Sequence, residues 1–488
     1  MLFPTFTFAV FCAAVLPVGW VLRRWPTVWK VFVLAASYYF YAVWDYRFVF
    51  LLVAMTCVNA VAARVICRCS PSDEYGRVCS RLALAVGVGF NLGVLAFFKY
   101  YGFFIASLEQ NLGISGPALD IVLPIGVSFY TFQAISYVVD VSRNHTEEAS
   151  LLDLAVYLSF FPQLVAGPII RPTEFFPQMS FRIEREAPFD KTRLCKAVQL
   201  IGRGLFKKVV VADFLATAIV EDVFIVPSAH SSIDVLAGVY GYAIRIYADF
   251  SGYTDIAIGV ALLLGFQFPQ NFDRPYAAVS VRDFWRRWHM TLSRWLRDYL
   301  YIPLGGNRKG RIRTYVNLMI TMTLGGLWHG AAGVFVVWGL YQGLGLCCER
   351  LISACLPIPG HRSREKQSSS LRRFWNAGNI GIRRIAVFHF ICAGWVVFNA
   401  IDLRQVVEIF KQLVAGWHTP TTLLNPLVLM MIIAVVAVQY LPSRLTDACS
   451  RAMLSLPTCL VAAGFAVWIM IVVVLGPEEI ADYIYFQF

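Results

Sequence analysis

Charged residues are scarce in this sequence. Asp, Glu, Lys and Arg make up 15% of its 488 residues, where a soluble domain carries about 25%. With 58% hydrophobic residues beside it, that deficit excludes an ordinary soluble protein. The common signatures of nucleotide and acyl chemistry are missing as well. No Gly-x-Ser-x-Gly elbow, Walker loop or dinucleotide fingerprint occurs, so hydrolase, ATPase and redox readings find no support. Cys67-x-Cys69 and the vicinal Cys347-Cys348 match no zinc spacing, and no nearby histidine completes one, so no metal site is expected. The twelve cysteines are scattered, some inside apolar runs (Cys12, Cys57, Cys392, Cys459) and some in basic loops (Cys67, Cys69, Cys79). They read as buried small hydrophobes rather than as disulfides or ligands. There is no internal repeat and no soluble domain of useful size. Residues 3–22 lack a basic n-region and a cleavage site, and read as a retained first helix.

What the chain does have is apolar runs, recurring from Phe6 to Val474. They predict an all-α, polytopic membrane protein, with about 11–13 spanning or re-entrant helices at roughly 20 residues per crossing. The net charge of +12 could suggest nucleic acid, but the basic residues gather in short loops between apolar runs. That is the bias of cytoplasmic loops. It puts 171–208, 274–313 and 350–384 inside and both termini outside, the acidic stretch 478–482 among the outside residues. Within the third loop Ser368-Ser369-Ser370 is the expected flexible point. Residues 31–65 read as a hairpin broken at Trp44-Asp45-Tyr46-Arg47, and 151–170 as a segment that dips into the bilayer. Residues 233–268 read as a long return broken by glycines, and 423–440 and 459–475 as late spans.

One apolar stretch, 314–346, fits no simple crossing. A single helix there would be roughly 50 Å long against about 30 Å of hydrocarbon, and two crossings need about 40 residues. His329 lies in its middle, with Gly325, Gly326 and Gly330 around it. Basic loops on both sides make it a hairpin or re-entrant pair with His329 near the apex. An ionisable residue at such depth is a functional-site hypothesis by default. A neutral imidazole could take a proton from an alcohol attacking an acyl thioester, without a metal. The competing reading is a histidine that hydrogen-bonds between helices.

Two further clusters stand out. Residues 284–299 carry aromatic and apolar positions at spacings of three to four with arginines between, the pattern of an amphipathic interfacial helix. His289 falls on its ring-bearing flank, either as a structural residue or at the mouth of a site. Asp249, Ser251 and Asp255 fall at the start of an apolar run, where acids are costly unless paired or facing water; helix capping by Asp249 or Ser251 is the alternative. The neighbouring Gln267-Phe-Pro-Gln-Asn-Phe-Asp-Arg-Pro-Tyr276 reads as a rigid polar turn.

Five motifs in order resemble the membrane-bound O-acyltransferase superfamily: Phe161-Pro-Gln-Leu-Val-Ala-Gly-Pro168, Tyr247-Ala-Asp-Phe-Ser-Gly-Tyr253, Asp283-Phe-Trp-Arg-Arg-Trp-His289, Leu300-Tyr-Ile-Pro-Leu-Gly-Gly-Asn307 and Gly326-Leu-Trp-His-Gly330. Within it the chain resembles the bacterial alginate O-acetyltransferase and teichoic acid D-alanyltransferase subunits. The resemblance implies one membrane domain over 1–488, with core motifs at about 161–346, extra spans at about 423–475 and a central funnel. It implies His329 as the catalytic histidine and His289 as the second of the pair; Asp249, Asn271 and Asn307 carry over only as motif members. It further implies residence in the bacterial inner membrane, among its lipids, and acetyl transfer from a cytoplasmic donor, acetyl-CoA or an acylated carrier protein, with no permanently bound cofactor. The implied acceptor is an exported polysaccharide such as alginate, reached through a periplasmic, esterase-like partner; nucleic acid is no partner. D-alanyl transfer from a carrier protein is the enzymatic alternative. A transporter or flippase is the non-enzymatic one, since those too use broken helices and midplane ionisable groups.

Overall fold

A computed structural model describes residues 1, 3–69, 73–117, 119–165, 167–185, 190–355, 370–477 and 483–484. Among them there are helices and connections and no strand. The acidic stretch 478–482 and two of the three serines at 368–370 lie outside the described residues.

The chain starts with α1 (Phe6–Leu22), α2 (Pro26–Asp45) and α3 (Arg47–Arg68). The expected break between the last two falls at Tyr46. Asp45 fixes it by accepting from the Arg47 backbone N–H at 2.9 Å and the Arg47 Nη2 at 2.6 Å. Next come α4 (Glu74–Leu95) and, through a π turn at Ala96–Tyr100, α5 (Tyr101–Leu112). Asn59 on α3 and Asn91 on α4, both fully buried, donate to each other at 3.1 and 2.7 Å. Each amide answers the other where no water can.

Then follow α6 (Val127–Ser142), the short α7 (Leu151–Ser159) and α8 (Phe161–Leu164), α9 (Pro172–Arg185) and α10 (Lys191–Leu205). The nine residues of α7 reach only about 14 Å, which suits a segment that does not cross. Helix continues from α10 through π-helical segments at Phe206–Ala212 and Ala216–Val220, with α11 (Asp213–Leu215) and α12 (Glu221–Ile225) between and after them, before α13 (Ser232–Leu263), a helix of 32 residues.

Here one expectation fails. The glycines of α13 do not break it; they let neighbours press against it. A Cβ on Gly252 would stand 2.8 Å from the Gly204 carbonyl oxygen, and one on Gly238 about as close to the Val223 side chain. Asp249, Ser251 and Asp255 are consequently mid-helix residues and not caps. Asp255 is paired, with Arg203 at 2.6 Å and Lys207 at 2.8 Å, which answers its burial.

The chain continues through α14 (Val281–Arg287), α15 (Met290–Trp295), α16 (Arg311–His329), α17 (Gly333–Cys355) and α18 (Ser370–Asn399). It ends in α19 (Leu403–Ala415), α20 (Pro426–Val438), α21 (Ser443–Ser455) and α22 (Thr458–Leu475). Two compact units result: 1–208 with 252–269 and 447–474, and 209–251 with 270–446 and 475–488. Among the described residues, five helical stretches are long and apolar enough to cross a membrane: Arg47–Arg68, Glu74–Leu112, Ser232–Leu263, Gly378–Asn399 and Thr458–Leu475. Two shorter apolar helices, α1 and α20, accompany them. On α22 Met470 and Val474 are 67% and 81% exposed, a face that only lipid suits. The cysteines are mostly not buried: Cys195, Cys347 and Cys392 are, whereas Cys57 and Cys459 face outward on their helices. In a spanning helix the outer face is as apolar as a core, so a small hydrophobe sits there at no cost.

Candidate active site

Both singled-out histidines belong to the second unit. His329 is the last residue of α16, and after Gly330 the chain turns back into α17, so the expected hairpin forms with His329 at its turn. The expected length is corrected. The arms hold 19 and 23 residues, about 28 and 35 Å at 1.5 Å each. They run on through Arg311 and Arg313 at one end and Glu349 and Arg350 at the other, so basic residues lie inside the helices rather than only beside them. Glycine makes the hairpin tight: a Cβ on Gly326 would stand 2.2 Å from the Phe335 carbonyl oxygen and 3.0 Å from the Gly339 Cα.

His329 is 4% exposed. Its ring meets Trp328 at 5.0 Å, Trp338 at 5.2 Å and Phe398 at 5.2 Å, each nearly perpendicular. Trp395 stacks on Trp338 from behind. A cavity of about 740 Å³ reaches His329 and Trp338, a size suited to a small organic ligand. Among the described residues its wall carries Arg282, Arg286, Arg294, Arg297 and Arg350 and one acid, Glu349, and includes Asn307. Glu349 is itself engaged, accepting from the Arg282 backbone N–H at 3.1 Å.

The segment 284–299 is not one amphipathic helix. It divides into α14 and α15 at Trp288, which is extended, and His289, whose φ of 40° and ψ of 54° are left-handed. The aromatic rings at helical spacing turn inward: Phe284, Trp288 and Trp295 are buried, and Trp288 packs on Trp395 at 4.8 Å. Of the positions at helical spacing, 288, 292, 295 and 296 are buried and Trp285 and Tyr299 half-buried; their partner is protein rather than lipid headgroups.

His289 is fully buried and does not line the arginine cavity. It lies behind Trp328, 6.0 Å from that ring, with Phe250 edge-on at 4.7 Å. One indole thus touches both histidines. Among the singled-out residues Asn271 gains a role that the sequence did not disclose. Its side-chain oxygen meets His289 Nδ1 at 3.2 Å and accepts from the Thr291 N–H at 3.1 Å and the Thr291 hydroxyl at 2.9 Å. Burial pushes the His289 imidazole down to about 3, so it is neutral at physiological pH. Asp249 holds a different neighbour, accepting from the Ile484 N–H at 2.8 Å, and Tyr483 beside it packs on Phe250.

Fold and site together define a multi-pass helical membrane protein with a histidine set into the wall of a basic cavity. Residues 133–388 match the model of the membrane-bound O-acyltransferase family. The chain is 37% identical over 393 residues to the probable alginate O-acetylase of Pseudomonas putida, covering 78% of this chain and 74% of the relative. To the peptidoglycan O-acetyltransferase of Helicobacter pylori it is 34% identical, covering 84% and 79%. The teichoic acid D-alanyltransferase of Bacillus subtilis is more distant, 26% identical over 58% of this chain and 70% of its own. The chain belongs to the membrane-bound O-acyltransferase family, and is an O-acyltransferase.

Proposed function

We propose that this protein moves acetyl from a cytoplasmic thioester donor across the membrane for O-acetylation of an exported polysaccharide, alginate-like first, with His329 as the proton acceptor. The observation that carries the reading is the position of His329 in the wall of a cavity bearing five arginines and one acid. Guanidinium groups pair with phosphate through bidentate, charge-assisted bonds, so the arginines suit the phosphates of acetyl-CoA or of a carrier protein's pantetheine arm. The donor's thioester then lies toward His329. The attacking hydroxyl gives its proton to the imidazole as its oxygen bonds to the acetyl carbon. The C–S bond breaks, and the departing sulfur takes the proton back from the imidazolium. His289, behind Trp328, assists from the protein side.

The acetyl direction is supported by the names of the relatives that are 34–37% identical, and D-alanyl transfer only by the more distant ones. Residence in the inner membrane of a bacterium, basic loops inside, and a periplasmic esterase-like partner that esterifies the sugar complete the proposal. Reconstitution in lipid vesicles tests it. With acetyl-CoA supplied on one side and polymer on the other, acetyl esters are expected only when both this chain and a Ser-nucleophile partner are present. Full polymer acetylation by the chain alone would sink the relay. Preference for a D-alanyl carrier protein as donor would sink the acetyl assignment.

A further inference from the structure

The left-handed backbone of His289 is unusual for a residue with a Cβ and is strained where it occurs. Asn271 opposes that strain from two directions. Its backbone carbonyl accepts from the Met290 N–H at 2.9 Å, directly after the histidine. Its side chain meets the imidazole itself.

The identity of the Asn271 atom facing the ring follows from its other partner. A backbone N–H can only donate, so the atom 3.1 Å from the Thr291 nitrogen is the amide oxygen and not the NH2 group. The same oxygen meets His289 Nδ1 at 3.2 Å. An oxygen facing a bare ring nitrogen would set lone pair against lone pair. Nδ1 therefore carries the hydrogen. A neutral imidazole has one N–H, and complete burial of the ring among aromatic side chains disfavours the charged form. The lone pair is then on Nε2.

We propose that Asn271 is a positioning residue that fixes His289 as the Nδ1–H tautomer, so that Nε2 is the proton-accepting atom of the second histidine. The inference rests on the reading of His289 as a member of the acyl-transfer site, but the tautomer can be measured apart from activity. A histidine held in the wrong tautomer keeps its place and loses its function as a base.

The test uses the full chain in lipid bilayers with isotope-labelled imidazole nitrogens. The His289 signals are identified by their disappearance in His289→Gln, and thiol release from acetyl-CoA is measured in parallel. Expected are a protonated Nδ1 in the unmodified protein and in Asn271→Asp, whose carboxylate accepts in the same place. Asn271→Ala is expected to shift the proton toward Nε2 and to slow thiol release about tenfold or more, part of the range that a general base commands. A proton on Nε2 in the unmodified protein would overturn the proposal. So would an Asn271→Ala protein that loses activity while its tautomer stays unchanged, because Asn271 would then be structural. If the unmodified protein releases no thiol, the acetyl-CoA reading fails while the nitrogen signals still decide the tautomer.

Discussion

His329 ends an unbroken helix of 19 residues, whereas His289 lies in the left-handed region between helices of seven and six. The first is held by packing: glycines thin the hairpin until one arm rests on the other, and three aromatic rings enclose the imidazole. The second is held by hydrogen bonds, chiefly those of Asn271. One histidine lines the cavity, and the other stands behind Trp328, off the cavity wall. A packed residue is sensitive to volume, and a hydrogen-bonded one to the identity of its partner's atoms. The two should therefore fail in different ways.

The largest effect belongs to His329→Gln. Loss of a general base costs about 10²- to 10⁴-fold, so acyl transfer should fall by that much while yield and thermal unfolding in detergent stay near those of the unmodified protein. His289→Gln should reduce transfer less, since it does not line the cavity. Equal losses would erase the distinction between the two positions. Wild-type specific activity in a well-folded His329→Gln protein would end the catalytic assignment.

Next in size is Gly326→Ala. Its Cβ would meet the Phe335 carbonyl oxygen at 2.2 Å, and overpacking of this kind costs about 1–3 kcal/mol. The midpoint of thermal unfolding should drop. Gly333→Ala, four residues past His329 with nothing within 4 Å, should leave it unchanged within about 0.5 kcal/mol. If the two behave alike, close packing is not what holds the hairpin. The smallest effect is expected from the cavity rim. Arg286→Gln removes an exposed charge, worth about two- to fivefold in the donor's KM, and added salt should shrink the difference.

The two histidines also differ in how far the sequence discloses them. His329 is legible because its signal is local: an ionisable residue among glycines in an apolar stretch. The break at Tyr46 is legible for the same reason. His289 is legible only as a motif member, because its conformation depends on hydrogen bonds to Asn271, eighteen residues away. Residues 284–299 show helical periodicity whether their rings meet lipid or other rings, so spacing alone could not reveal the break at Trp288 and His289. The glycines of α13 carry the opposite lesson. Glycine marks either a weak point in a helix or a close approach, and only the neighbour, here Gly204 for Gly252, decides which.

The ring enclosure of His329 bears on a reaction other than transfer. A thioester beside an imidazole is open to hydrolysis, and each such event wastes an activated acetyl group without modifying any sugar. Water has to reach the acetyl carbon for that to happen, and Trp328, Trp338 and Phe398 occupy much of the space from which it would come. Under the proposed reaction, the same rings that fix the imidazole would favour an acceptor delivered to the site over solvent, and so would set how much of the donor is consumed for each ester made.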